Sequence, residues 1–138
     1  LTFAQFEREL LSERIRDKFE QRAQKGMWNG GHPPFGYEFD NKRLKIDPKQ
    51  AVHVRKMFEI YVETGSLKAV YDYGITQDLK NNRFKRNFDV SGVGTLLRNP
   101  IYCGKIRYKG QIFKGLHEAI ISDMVFEEAS KRHREKVV

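Results

Sequence analysis

Lys80, Arg83, Lys85, Arg86, Arg98, Lys105, Arg107, Lys109 and Lys114 crowd into one stretch, Lys80–Lys114, whose single acid is Asp89. Nine cations against one carboxylate leave +8, which is also the formal charge of the whole 138-residue chain. Outside the stretch, 17 basic side chains (26 less nine) and 17 acidic ones (18 less one) cancel. Phe84, Phe88, Tyr102, Tyr108 and Phe113 are interleaved with the cations. An excess confined in this way suits a polyanion, because each Lys or Arg set on a phosphate releases a condensed counterion. A solvated basic face is the plain alternative on charge alone.

Other residues able to do chemistry do not gather. Ser12, Ser66, Ser91, Ser122 and Ser130 read as helix-surface or capping residues, and none is assigned a catalytic role. His32, His53, His117 and His133 are scattered, and His117-Glu118 has no nucleophile beside it. Cys103 is the sole cysteine, so no internal disulfide forms and no Cys/His set has zinc-ligand spacing. No metal or cofactor is expected within this chain. A small metal-dependent nuclease is disfavoured because the carboxylates are dispersed along amphipathic helices. The pI near 9.6 points to nucleic acid or an anionic membrane surface. No apolar run approaches the roughly 18 residues of a membrane span and no signal-peptide pattern opens the sequence, so the chain is read as soluble and intracellular. Hydrophobic residues reach only 39% and charged residues 32%, which predicts that part of the chain does not pack into its own core.

The elements that must position the basic stretch follow from local signals. Residues 2–25 contain no Pro or Gly, open on a Thr2/Gln5 capping box and stop at Gly26, which predicts one long helix of roughly 35 Å. Phe3, Phe6 and Leu10 share one face while Leu11, Ile15 and Phe19 share another, as in a connector or dimer element. Gly26, Gly30, Gly31, Pro33 and Pro34 then make an extended linker, either a minor-groove arm or an ordinary interdomain loop. Phe35, Gly36 and Tyr37 are expected to anchor the chain in a core. Tyr37 to Phe39 and Arg43 to Ile46 predict a short hairpin. Asp47 and Pro48 open a helix to about Glu63, burying Ala51, Val54, Phe58, Tyr61 and Val62. Ser66 caps the next, with Leu67, Val70, Tyr71, Ile75 and Leu79 inward and Gly74 as a potential break.

The loop NNRFKRN leads to a helix capped by Asp89 or Ser91, packed through Val93, Leu96 and Leu97 and stopped at Asn99-Pro100. Two helices joined in this way resemble the layout of a helix-turn-helix, whose second helix enters the major groove. Gly92, Gly94 and Thr95 would permit close approach to DNA, or serve only tight packing. Ile101 to Lys109 and Gln111 to Lys114 predict a second hairpin about Gly110, with Lys105, Arg107 and Lys109 alternating on one face as a phosphate-contacting row. Ser122 caps a final helix to about Lys136 through Val125, Phe126 and Ala129. The fold class is α+β and mainly helical: a long N-terminal helix, then a compact domain of about four helices with two short β-hairpins and a helix-turn-helix-like unit.

Five segments in order, FERELLSERIRDK at 6 to 18, GGHPPFGY at 30 to 37, LKIDPKQAVHVRKMFEIY at 44 to 61, VGTLLRNPIYCGKIRY at 93 to 108 and HEAIISDMVFEEA at 117 to 129, give the chain its resemblance to the large serine recombinases. These are the phage integrases and transposon resolvase/invertase relatives. The resemblance implies that residues 1–25 end a catalytic domain, 26–36 form a linker and 37–138 form a recombinase DNA-binding domain. It also implies that the nucleophilic serine lies upstream and a zinc ribbon downstream, so the chain is expected to be a piece truncated at both ends. A parent of this kind forms a phosphoserine–DNA intermediate, binds DNA as a dimer, synapses as a tetramer, and works in the cytoplasm of a bacterial cell. The segment VYDYGITQDLKNNRFKRNF departs from the family pattern, with Phe88 where a Trp is expected.

On this reading Arg83, Lys85 and Arg86, with Lys80, contact phosphates. Ser91, Gly92 and Thr95 approach bases, because short side chains at a helix N-terminus reach base edges and present N–H groups. Arg98, Lys105, Arg107 and Lys109 continue the backbone contacts, and Arg14, Arg16 and Arg22 supply them from the long helix. Arg14 matches a family arginine near the cleavage region and dimer interface. The expected function is sequence-specific binding of attachment-site or element-end DNA, without cleavage by this chain alone. A free-standing helix-turn-helix regulator, dimerising through the opening helix, is the competing expectation.

Overall fold

The computed structural model describes residues 2–6, 18, 31–40 and 43–135. Residues 3–6 are helical, and the capping box is present: the Thr2 N–H donates to Gln5 Oε1 at 3.0 Å and the Gln5 N–H to Thr2 Oγ1 at 3.1 Å. The rest of the expected long helix, apart from helical Lys18, lies outside the described residues, as do Arg14, Arg16 and Arg22.

Strands β1 (Tyr37–Asp40) and β2 (Arg43–Ile46) pair antiparallel, with Tyr37 opposite Ile46. Helix α1 (Pro48–Thr64) starts where the Asp47 carboxylate accepts the N–H groups of Lys49 and Gln50, and ends at left-handed Gly65 (φ +65°). Its apolar face buries Ala51, Val54, Met57, Phe58 and Tyr61 completely, each large side chain contributing about 1.5–3 kcal/mol of transfer free energy. Met57 is an addition to the expected set, and Val62 is only half-buried. Helix α2 (Leu67–Thr76) is capped by Ser66 and packs on α1.

Two expectations for α2 are corrected. Gly74 does not divide the helix, which runs unbroken to Thr76, and its carbonyl accepts the Leu79 N–H at 2.9 Å where the helix closes. Ile75 is 46% exposed rather than inward, because the buried stripe of the helix passes through Val70 and Gly74; beyond the helix end Asp78, at φ +53°, turns the chain and Leu79 returns to the core.

Helix α3 (Val90–Arg98) is capped by Asp89, whose carboxylate accepts the Gly92 N–H at 2.6 Å, and it buries Val93, Leu96 and Leu97. It packs on α2 and, more lightly, on α4 (Asp123–Glu135), whose first turn is closed by Ser122. Between α2 and α3 the chain runs through residues 77–89, where Lys80 and Asn87 form an isolated bridge. This connection is longer than the roughly three or four residues of a helix-turn-helix turn.

After α3 the expected strand from Ile101 is replaced by a buried 3-10 turn, Pro100–Cys103. Asn99 Oδ1 accepts the Ile101 N–H, proline leads the turn, and Gly104 ends it at φ +84°. The second hairpin is therefore short, β3 (Lys105–Tyr108) against β4 (Gln111–Lys114). Lys109 (φ +50°) and Gly110 (φ +76°) form its two-residue turn, as type I′ geometry requires.

The core joins distant parts of the chain through two buried phenols. Tyr102 donates to the Phe35 carbonyl at 2.7 Å and Tyr37 to that of Glu118 at 2.6 Å, the rings 6.0 Å apart and stacked. Burial pushes both hydroxyls well above the ordinary tyrosine range, so both remain protonated donors. Phe35, Gly36 and Tyr37 thus anchor the chain by core packing, as expected.

Candidate nucleic-acid interface

Three elements bring Arg83, Gly92, Thr95, Arg98 and Arg107 of the expected site together among the described residues. Helix α3 turns Ser91, Thr95 and Arg98 outward at i, i+4 and i+7, opposite its buried face. The loop 80–88 meets the N-terminal half of this helix: Arg83, Gly92 and Thr95 line one groove of about 580 Å³, floored by Phe35, Phe88, Leu96 and Tyr102. At the other end the Arg107 guanidinium donates to the Arg98 carbonyl at 3.4 Å, setting a cation at the C-terminal end of α3 and joining the hairpin to it.

The glycines of α3 differ in role. Gly94 is buried and so does not approach DNA, and a Cβ there would make ordinary contact with Leu67 Cδ1 at 3.6 Å. A Cβ on Gly92 would stand 3.0 Å from Asp89 Oδ1, so its bareness keeps room for the cap. Thr95 Oγ1 donates back to the Ser91 carbonyl at 3.1 Å, leaving its acceptor lone pairs outward.

The basic row of the hairpin also needs correction. Lys109 sits in the turn, its ammonium 5.4 Å from the Tyr108 ring centre, and does not continue the face of Lys105 and Arg107. The register puts Lys114 opposite Lys105 and Ile112 opposite Arg107, so the outward cations are Lys105, Arg107 and Lys114. Like charges directly opposite one another oppose strand pairing. Lys105 is partly neutralised by Asp123 at 3.4 Å, and Lys80 by Asp78 at 3.9 Å, both exposed pairs of small energetic weight. Among the described residues Arg83, Lys85, Arg86, Arg98, Arg107 and Lys114 form no ion pair. Their charge is available to an external anion.

A polar knot with no counterpart among the sequence expectations fixes the loop. Asn82 donates through Nδ2 to the carbonyls of Pro33 (3.1 Å) and Pro34 (3.2 Å) and accepts at Oδ1 from Gln50 Nε2 (2.9 Å). Gln50 Oε1 in turn accepts the Gly36 N–H at 2.8 Å. The Pro-Pro-Phe-Gly segment, α1 and the basic loop are thereby tied together. Asn81-Asn82 before a basic tetrapeptide signals a turn, but nothing local identifies Gln50 as its partner. Asn82→Ala is expected to cost roughly 1–3 kcal/mol by leaving these groups unmatched. Asn82→Asp is expected to cost more, because a carboxylate would face the carbonyls. Urea melts of the two variants check the order, and faster amide exchange at residues 81–86 checks the loosening.

His117 Nε2 lies 2.6 Å from the Ile101 carbonyl, and burial lowers its pKa below the ordinary histidine value, so the neutral ring is the donor. It is a structural group beneath the hairpin. Among the described residues no cluster of His, Cys, Asp or Glu could hold a metal ion, and no helix is long and apolar enough to cross a membrane.

A Recombinase family profile matches residues 48–136. Two solved structures share the fold. One is a crystal structure of an LSR–DNA complex, 23% identical with a TM-score of 0.75, the match covering 88% of this chain and 38% of that one. The other concerns sequence requirements of the Listeria innocua prophage attP site, 24% identical with a TM-score of 0.74, covering 88% of this chain and 51% of that one. This chain thus spans about half or less of the length of those it matches. At these identities the likeness establishes the α+β, mainly helical fold, and it agrees with the resemblance to large serine recombinases carried by the five segments. With the profile extending over most of its length, the chain belongs to the Recombinase family.

Proposed function

We propose that this chain is the DNA-binding region of a site-specific serine recombinase, recognising attachment-site or element-end duplex DNA for integration or excision. The observation that carries the reading is the surface on which α3 presents Ser91, Thr95 and Arg98 between a basic loop and a basic hairpin. Loop and hairpin cations grip phosphates and fix register, while the short side chains of α3 bring its backbone close to base edges. The LSR–DNA complex that holds a similar fold supports the assignment.

In this reading residues 1–25 end a catalytic domain, 26–36 link it and 37–138 bind DNA, with Arg14, Arg16 and Arg22 adding backbone contacts from the helix. The nucleophilic serine and a zinc ribbon belong to other parts of the parent protein, which acts in the cytoplasm as a dimer on DNA and a tetramer in synapsis. Binding to an attachment-site half, compared with random duplex over a salt series, tests the proposal. The expected result is a preference of roughly a thousandfold or more for the cognate half. Equal affinity at every salt concentration would remove sequence-specific recognition.

A further inference from the structure

Within the basic loop, Phe84 is 57% exposed and lies outside the core, unlike Phe88, which packs edge-on against Phe35 at 5.2 Å. The guanidinium carbons of Arg83 and Arg86 stand 5.0 and 4.9 Å from its ring centre. In an extended strand side chains three positions apart point to opposite faces, so Arg83 and Arg86 would diverge. Here Lys85, at φ +55°, folds the chain back. Asn81 closes the turn: its N–H and its Nδ2 both donate to the Arg86 carbonyl, at 3.0 and 3.1 Å, and its carbonyl accepts the Lys85 N–H at 3.1 Å. A non-glycine residue held at positive φ on a loop tip is backbone strain that the surrounding hydrogen bonds sustain.

Two guanidiniums beside one ring repel each other, and exposed arginines otherwise sample many rotamers. The electron-rich ring face attracts both and restricts both. We infer that Arg83, Phe84 and Arg86 act as one unit, in which Phe84 is a positioning residue that holds a pre-set guanidinium pair for neighbouring phosphates of one DNA strand. Presetting reduces the rotamer freedom that binding must remove. The planar guanidinium, unlike an ammonium, both stacks on the ring and keeps its outer N–H groups free for phosphate oxygens. The inference rests on the DNA-binding reading above and names the part of that site which Phe84 serves.

The test uses the 138-residue chain and a mixed-sequence DNA duplex. Phe84→Leu keeps the bulk, apolarity and both charges but removes the aromatic face, and is expected to weaken binding about fivefold, the scale of releasing one or two immobilised side chains. Phe84→Trp restores wild-type affinity. In an Arg83→Ala/Arg86→Ala background the Phe84→Leu change has no further effect, because the ring acts through the two arginines. If Phe84→Leu weakens binding equally in that background, Phe84 touches DNA itself and the unit is overturned. If it has no effect in the wild type while the arginine variants do, the brace is likewise refuted. Should the wild-type chain fail to bind duplex at all, the DNA-binding reading falls. The brace is then judged in the free protein, where Phe84→Leu must shift the Nε–H proton resonances of Arg83 and Arg86; unmoved resonances sink it.

Discussion

Arg83→Ala/Arg86→Ala is expected to weaken duplex binding at least about tenfold and to flatten the dependence of log affinity on log salt by about 0.9 for each phosphate no longer neutralised, roughly 1.8 in all. The weakening should be uniform across sequences, since phosphate contacts position the protein and base contacts discriminate. Both arginines are exposed and without an ion pair among the described residues, so removing them leaves no buried carboxylate unmatched and the melting temperature should hold. An unchanged salt slope, measured by fluorescence anisotropy over a salt series, would take the loop out of the interface.

The largest expected effect on stability belongs to Gly36→Ala. Gly36 sits at φ +103°, which side-chain-bearing residues rarely adopt, and a Cβ there would stand 2.9 Å from both Ile120 Cδ1 and Val54 Cγ2. Backbone strain of about 1–3 kcal/mol adds to overpacking of about 1–3 kcal/mol, so destabilisation by roughly 2–6 kcal/mol follows. Relief by backbone movement is opposed on both sides. The Gly36 N–H is held by Gln50, and its carbonyl accepts the Asp47 N–H at 2.9 Å. A thermal melt should fall by about 10 °C or more, and DNA binding measured below the new midpoint should fall far less than for the arginine pair. A melt within a degree or two of wild type would mean that the segment is not clamped as described.

What could be read from the sequence was what local chemistry decides. Asp47-Pro48, Ser66 and Ser122 each start a helix where expected, and of the two candidates Asp89 and Ser91 it is Asp89 that caps, because a cap acts on amides two or three residues away. The hairpin around Gly110 is legible, but alternation alone puts Lys109 on the strand because a lysine gives no local sign of adopting positive φ. Ile75 fits a helical stripe whose buried line in fact passes through Gly74, and Ile101 fits a strand that the Asn99-Pro100 pair winds into a turn. The site divided along the same line. Clustered charge exposed Arg83, Lys85 and Arg86, whereas Gln50 and Asn82 meet across 32 residues and their bond has no sequence signature.

The two buried phenols also have a kinetic meaning. Tyr102 reaches back 67 residues to the Phe35 carbonyl, and Tyr37 reaches forward 81 to that of Glu118. Helices α1 to α4 can each begin to form within microseconds, but neither phenol finds its acceptor until the ends of the domain have met. Closure of that long loop, rather than helix formation, should therefore set the folding rate. A nascent chain lacking the stretch beyond His117 would hold Tyr37 with its strongest acceptor still unmade.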